Sequence, residues 1–230
     1  MKRFPDILLV VIGLGTILCC SLSATGLFRN SAKQTKVSPP VILPASEMLR
    51  SGDIIFRDGK SFISQAFKQF RRKDQRFSHA GIIHIQNGDV FVFHCIGGEG
   101  SSDNRMRKEK LSSFCSGKEV NEYAIFRPSL NISQMRAIDS IACGYFDSGL
   151  EFDTKFDLHD SRKMYCTELI YNVFKLALQD ENFIPLTEVA GLSYVACDNI
   201  FLQPELKEIY SYSYHQHPQK QKAIHETSYN

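Results

Sequence analysis

The dipeptide Asn87-Gly88 constrains the fold of this chain more than any other feature. Both residue types accept the positive φ angles of a type I′ turn. Strand-like runs flank them, Ala80–Gln86 and Asp89–Ile96, so the segment predicts a β-hairpin. A two-residue turn fixes the register: Gln86 pairs with Asp89, and counting outward brings Gly81 opposite His94. His79 shares the parity of Gly81. His79 and His94 then project from one face as diagonal neighbours, about 7–8 Å apart at the backbone, with space left between them by Gly81. His84 and Cys95 have the other parity and point away, and His84 reads as a satisfied structural residue. His94 beside Cys95 does not read as zinc, because strand neighbours face opposite ways and no CxxC or HxxxH spacing occurs.

The second informative stretch is Lys163-Met164-Tyr165-Cys166-Thr167-Glu168-Leu169-Ile170-Tyr171. From Cys166 onward, Leu169, Ile170, Val173, Phe174 and Ala177 recur at helical spacing, so the cysteine opens an amphipathic helix. Free N–H groups and the positive dipole end at a helix start favour thiolate over thiol. An unperturbed cysteine is only about 3% thiolate at neutral pH, so a modest shift multiplies the reactive fraction. The plainer alternative is a small hydrophobe beginning a core helix.

The rest of the chain organises around these two stretches. Lys2 and Arg3 precede an apolar run from Ile7 to Ala24, so residues 1–25 read as a signal peptide or an N-terminal membrane anchor and the chain as exported, to the periplasm or cell envelope. Residues 26–46, with Pro39, Pro40 and Pro44, read as a linker. Ile54-Ile55-Phe56 reads as a buried strand, Phe62–Phe70 as a short helix, and Glu122–Arg127 as another strand. Arg71–Arg76 and Arg105–Lys110 read as solvated charge runs. Asn131 with Gln134 resembles a capping box, opening a helix with a stripe of Ile132, Met135, Ile138, Ile141, Ala142 and Tyr145. The acidic loop 147–162 lacks the Asp/Gly rhythm of a calcium loop. Residues 214–230 read as a disordered polar tail.

With 27 Lys and Arg against 25 Asp and Glu, the net charge of +2 gives no support to nucleic-acid binding. Cys95, Cys115, Cys143, Cys166 and Cys197 are an odd set, compatible with one reactive thiol and up to two bridges whose pairing sequence does not give. No cofactor is required. The candidate catalytic residues are Cys166 as nucleophile, His79 as base and His94 as the group orienting it, by accepting from His79 or donating to it. The backbone N–H of Cys166 is the natural first oxyanion donor, with Tyr165 a weaker second or supporting residue.

At Ser51-Gly52-Asp53-Ile54-Ile55-Phe56, Phe77-Ser78-His79-Ala80-Gly81-Ile82, Phe152-Asp153 with Phe156, and Tyr165-Cys166-Thr167-Glu168-Leu169-Ile170, the chain resembles the permuted papain-like cysteine amidases of the YiiX/YaeF type, within the broader NlpC-like hydrolases. Cys197-Asp198 fits more loosely. The resemblance implies an α+β, circularly permuted papain-like fold over residues 47–213: a small antiparallel sheet packed against the nucleophile helix, with Cys166 and His79 as the catalytic pair. Many relatives place a carboxylate where His94 stands, whereas acyltransferases of the lecithin:retinol type use a second histidine. The implied activities are a hydrolase cleaving an amide, with cell-wall peptide as a candidate substrate, or an acyltransferase or lipid esterase with the same site. A catalytically silent binding module is the alternative from another class. The expected partners are a peptide or acyl substrate, and the membrane through residues 7–24 if that segment is retained.

Overall fold

Ile54, Ile55 and Phe56 are all fully buried, although neighbours in a strand point to opposite faces. Their strand must therefore be covered on both sides. A computed structural model of the chain describes residues 40–60, 73–97, 104–158, 160–189 and 191–215. The strands are β1 (Ile54–Gly59), β2 (His79–Gln86), β3 (Asp89–His94), β4 (Arg107–Lys110), β5 (Val120–Pro128), β6 (Glu151–Phe152), β7 (Lys163–Met164), β8 (Thr187–Val189), β9 (Leu192–Tyr194) and β10 (Leu206–Ser213). The helices are α1 (Leu111–Phe114), α2 (Ile132–Asp147), α3 (Cys166–Leu178) and α4 (Cys197–Phe201).

Six strands form one antiparallel sheet in the order β10-β5-β1-β2-β3-β4. Its two faces carry separate apolar clusters. On one, Ile54, Phe56, Ala80, Ile82 and Phe93 pack with Ile138 and Ala142 of α2 and Leu169, Ile170, Val173 and Phe174 of α3. On the other, Ile55, Ile83, Val92, Tyr123 and Ile125 pack with Leu111 and Phe114 of α1 and with Leu49. Burying the four α3 side chains is worth roughly 6–12 kcal/mol gross. That is several times the roughly 1 kcal/mol of a helix cap, so packing holds α3 in place.

The hairpin has the register expected from Asn87-Gly88: Gln86 opposes Asp89 and Ile82 opposes Phe93, with Asn87 at φ 53° and Gly88 at φ 84°. A Cβ on Gly81 would lie 2.4 Å from Val92 Cγ1 and 2.9 Å from the Phe93 carbonyl oxygen. Glycine is needed there because β3 comes too close for a side chain. Asp53, fully buried, receives Arg127 Nε at 2.8 Å and Nη2 at 2.7 Å, plus the Arg50 N–H at 2.8 Å. The bidentate fork and the backbone donor satisfy a carboxylate that is costly to bury alone.

Three local readings need correction. The run Arg105–Lys110 is not all loop, since Arg107–Lys110 pairs with β3 as an edge strand. Charged side chains suit an edge because they discourage further pairing, and they also hide the apolar alternation by which a strand is recognised. Ile132 leaves the expected α2 stripe with 71% exposure, because it sits in the first turn, before the helix reaches the sheet. The stretch read as linker contains Val41 and Leu43 packed against the second cluster, with the Tyr123 hydroxyl donating to the Ile42 carbonyl. Among the described residues no helix is long and apolar enough to cross a membrane. The apolar run 7–24, the helix read at Phe62–Phe70 and the tail beyond His215 lie outside them.

Candidate active site

His79 opens β2 and His94 closes β3, and both are buried. His79 Nε2 lies 2.9 Å from His94 Nδ1. The far side of the second ring leads to β4: His94 Nε2 is 3.1 Å from Glu109 Oε2, close enough for an ion pair though off-line for a well-directed hydrogen bond. The β3–β4 register sets Glu109 opposite Val92 and Arg107 opposite His94, so Glu109 shares the histidine face. Phe114 of α1 backs both rings, at 5.8 Å from His79 and 5.2 Å from His94 between centroids.

Proton placement in this chain of groups follows from its far end. Burial alone would raise Glu109. The contact with His94, together with the charges of Arg57 and Arg107, outweighs it and holds the carboxyl below its usual range. Ionised, it only accepts, so His94 Nε2 carries the hydrogen. Burial lowers His94 against the opposing pull of Glu109, so the ring is neutral at pH 7 and its Nδ1 is bare. His79 Nε2–H then donates to that Nδ1. Burial, followed by Arg57, His94 and Arg107, depresses His79 well below its ordinary value. His79 is therefore also neutral, with Nδ1 left as the basic atom.

Arg57, opposite His79 across the β1–β2 pair, is a half-buried cation on the same face. Its guanidinium stacks on Phe114 at 4.3 Å and donates to the Phe114 carbonyl oxygen at 3.1 Å. Burial lowers its pKa, while negative charge on Glu109, Cys115 and Cys166 acts in the other direction. Burial, then charge on Cys166 and Glu168, pushes the Cys95 thiol well up. Cys166 thus lies within electrostatic reach of Arg57 on one face and Cys95 on the other.

Cys166 is the first residue of α3, and one residue, Val195, holds both its neighbours. The Val195 N–H donates to the Tyr165 hydroxyl oxygen at 2.8 Å, and the Thr167 hydroxyl donates to the Val195 carbonyl at 2.6 Å. The Tyr165 backbone N–H donates to Glu168 Oε2 at 3.2 Å. Glu168 is itself pushed up to about 8, mainly by burial, with Asp153, Asp157 and Asp160 adding to the rise and the Tyr165 hydrogen bond opposing it. In the loop before the helix, Asp153 accepts from the backbone N–H groups of Lys155 at 2.7 Å and Asp157 at 2.5 Å. Its carboxylate closes a turn. Asp198 accepts the Lys73 N–H at 2.9 Å, joining α4 to the segment ahead of His79.

Sequence reading brought His79, His94, Cys166 and Tyr165 forward and missed Glu109, Arg57 and Val195. Arg57 follows the apolar run of β1 at the same parity as Ile55, a signal that was available. Glu109 sat in a segment read as solvated charge. Val195 acts through its backbone, which leaves no trace in side-chain type. Among the described residues no disulfide joins the five cysteines, so the bridges the odd count allowed are not formed. Burial raises Cys115 and, together with Asp139 and Asp147, Cys143.

An antiparallel sheet carrying the histidines first and a helix opened by cysteine afterwards have the element order of a papain-like fold in permuted form. Residues 48–190 match the permuted papain-like amidase enzyme, YaeF/YiiX, C92 family. The chain belongs to that family, one of cysteine-type amidases and peptidases. It is 28% identical over 131 residues to the uncharacterized protein YiiX of Escherichia coli (strain K12), covering 56% of this chain and 59% of that protein. The match thus spans less than two thirds of that relative's length. The crystal structure of metalloprotein yiiX from Escherichia coli O157:H7, DUF1105, superposes with a TM-score of 0.59 at 19% identity. It covers 71% of this chain and 98% of the other, a likeness that bears on the fold.

Proposed function

We propose that this chain hydrolyses an amide through a thioester on Cys166, with His79 Nδ1 as general base. The thiol proton passes to Nδ1, sulfur attacks the carbonyl carbon, and the proton then passes to the departing amine. Water, deprotonated by the same nitrogen, cleaves the thioester and restores the thiol. His94 and Glu109 fix the His79 ring and tautomer, and Glu109 offsets positive charge as the imidazolium forms. The backbone N–H of Cys166 serves the oxyanion, and Arg57 supplies a nearby cation for the anionic states. Tyr165 and Thr167, both tied to Val195, hold the helix start. The single observation carrying this reading is the His79–His94–Glu109 chain, whose consistent proton placement leaves Nδ1 basic.

The apolar run 7–24 supports export and, with it, a peptide of the cell envelope as substrate. A second reading, acyl transfer or lipid ester cleavage at the same sulfur, is favoured by the histidine in the third position. A thiol-directed probe tests the site: Cys166 should label far faster than Cys95, Cys115, Cys143 and Cys197 near neutral pH, and His79→Ala should slow it. Equal rates would overturn the proposal. Mass spectrometry of Cys166 after exposure to envelope extract separates the substrates, a peptidyl adduct supporting the amidase and a fatty acyl adduct the second reading.

A further inference from the structure

His84 points away from the histidine pair, and what it meets is not needed by the reaction. On the α2 face of the sheet, its Nδ1 lies 2.8 Å from Asp139 Oδ1 and 3.7 Å from Cys143 Sγ. All three ligand atoms fall within 4.8 Å of one another. Asp139 and Cys143 are one turn apart on α2, and that spacing puts both side chains on the face turned to β2. We propose that His84, Asp139 and Cys143 form a zinc site that clamps helix α2 to strand β2.

The dimensions and donors suit that ion. Zinc bonds of about 2.0–2.3 Å to nitrogen, oxygen and sulfur imply tetrahedral edges of about 3.3–3.7 Å. The observed separations require only a small spreading of the His84–Asp139 pair and an approach of the thiol. A nitrogen, a carboxylate oxygen and a thiolate select a borderline-soft cation over calcium or magnesium. The side chains of His84 and Asp139 keep 11% and 24% of their exposure, so a fourth position opens to water or to a small ligand. Asp139, Asp147 and Lys108 are the charged groups acting on Cys143, and their balance is negative before the thiol ionises. On binding, the Cys143 S–H gives its proton to solvent as the zinc–sulfur bond forms, and the His84 hydrogen moves to Nε2.

The site is separate from the catalytic one. His84 lies five residues along β2 from His79, roughly 17 Å at strand rise, and on the opposite face. Helix α2 feeds the loop that ends at Cys166, so the clamp steadies the approach to the nucleophile.

The experiment uses the full chain carrying Cys166→Ala, kept reduced with a phosphine, and titrates it with Zn²⁺ by calorimetry and with Co²⁺ by absorption. The expected result is one equivalent bound, a thiolate-to-cobalt charge-transfer band, and a melting temperature raised by about 5–10 °C at a hundredfold excess over the dissociation constant. Adding Cys143→Ser should leave the metal-free melting temperature within a few degrees and abolish the band and the zinc shift. Should that variant not fold, Asp139→Asn takes its place with the same expectation for the zinc shift. Adding His79→Ala should leave binding intact. No band, a band retained with Cys143→Ser, binding lost with His79→Ala, or binding only at millimolar zinc would each overturn the proposal. The last three would mark a metal held elsewhere or adventitiously.

Discussion

His79 and His84 stand on one strand, and the difference between them shows what a histidine's partner can impose. His79 is bonded through Nε2 to a second imidazole, and an ionised Glu109 lies behind that. His84 is bonded through Nδ1 to Asp139. The first arrangement leaves Nδ1 bare and the second leaves Nε2 bare. An odd number of residues along β2 turns the rings to opposite faces, one toward α1 and Arg57 and the other toward α2. The same residue type, on the same strand, thereby meets an imidazole on one face and a carboxylate and a thiol on the other.

The largest effect that tests this contrast comes from the proposed catalytic pair. Cys166→Ser and His79→Ala should each lower amide hydrolysis by about 10³-fold or more, whereas Asp139→Asn should change it less than about twofold, measured on a fluorogenic amide. Comparable losses in all three would erase the distinction between the faces. Gly81→Ala should cost about 1–3 kcal/mol of stability in a denaturant titration, because the new methyl meets Val92 and the Phe93 carbonyl. By prising β2 from β3 it should also slow Cys166 labelling. Glu109→Gln should reduce kcat about tenfold, and ¹⁵N imidazole shifts should show His94 losing its fixed tautomer while His84 keeps its own.

The smallest effects lie in the pH dependence of stability. His79 and His94 are depressed in the folded state. Their contribution is complete above the unfolded value of about 6.5 and is lost as pH falls below it toward their folded values. Glu168 has the opposite sign. Its folded pKa of about 8 exceeds the unfolded value of about 4.3, so its contribution is complete at acid pH and declines as pH rises through 8. Glu168 thus opposes the histidine limb between about pH 4.3 and 6.5 and acts alone above it, so melting temperatures should decline from about pH 6.5 to about 8, and Glu168→Gln should flatten that decline and steepen the rise below 6.5.

The residues that carry local instructions were readable in advance. Asn87-Gly88 set the hairpin register, Asn131 with Gln134 capped α2 as a capping box, and the spacing after Cys166 gave α3. In each case the cause lies within a few positions of the effect: turn dihedrals, strand parity, helical period. Glu109 was opaque for the converse reason. Its charged strand has no apolar alternation, and its importance arises only when β4 docks on β3 and brings a carboxylate to the far side of His94.

By itself the sequence determined the order of elements, the shared parity of His79 and His94, and a cysteine at a helix start, because these depend on periods and turns. The tertiary structure alone decided that His79 Nε2 meets His94 Nδ1, that Arg57 lies across the β1–β2 pair from His79, and that His84 meets Asp139 and Cys143. Those outcomes need groups far apart in the chain to share one low-dielectric space, where burial and a neighbour's charge, rather than residue type, set the proton's position.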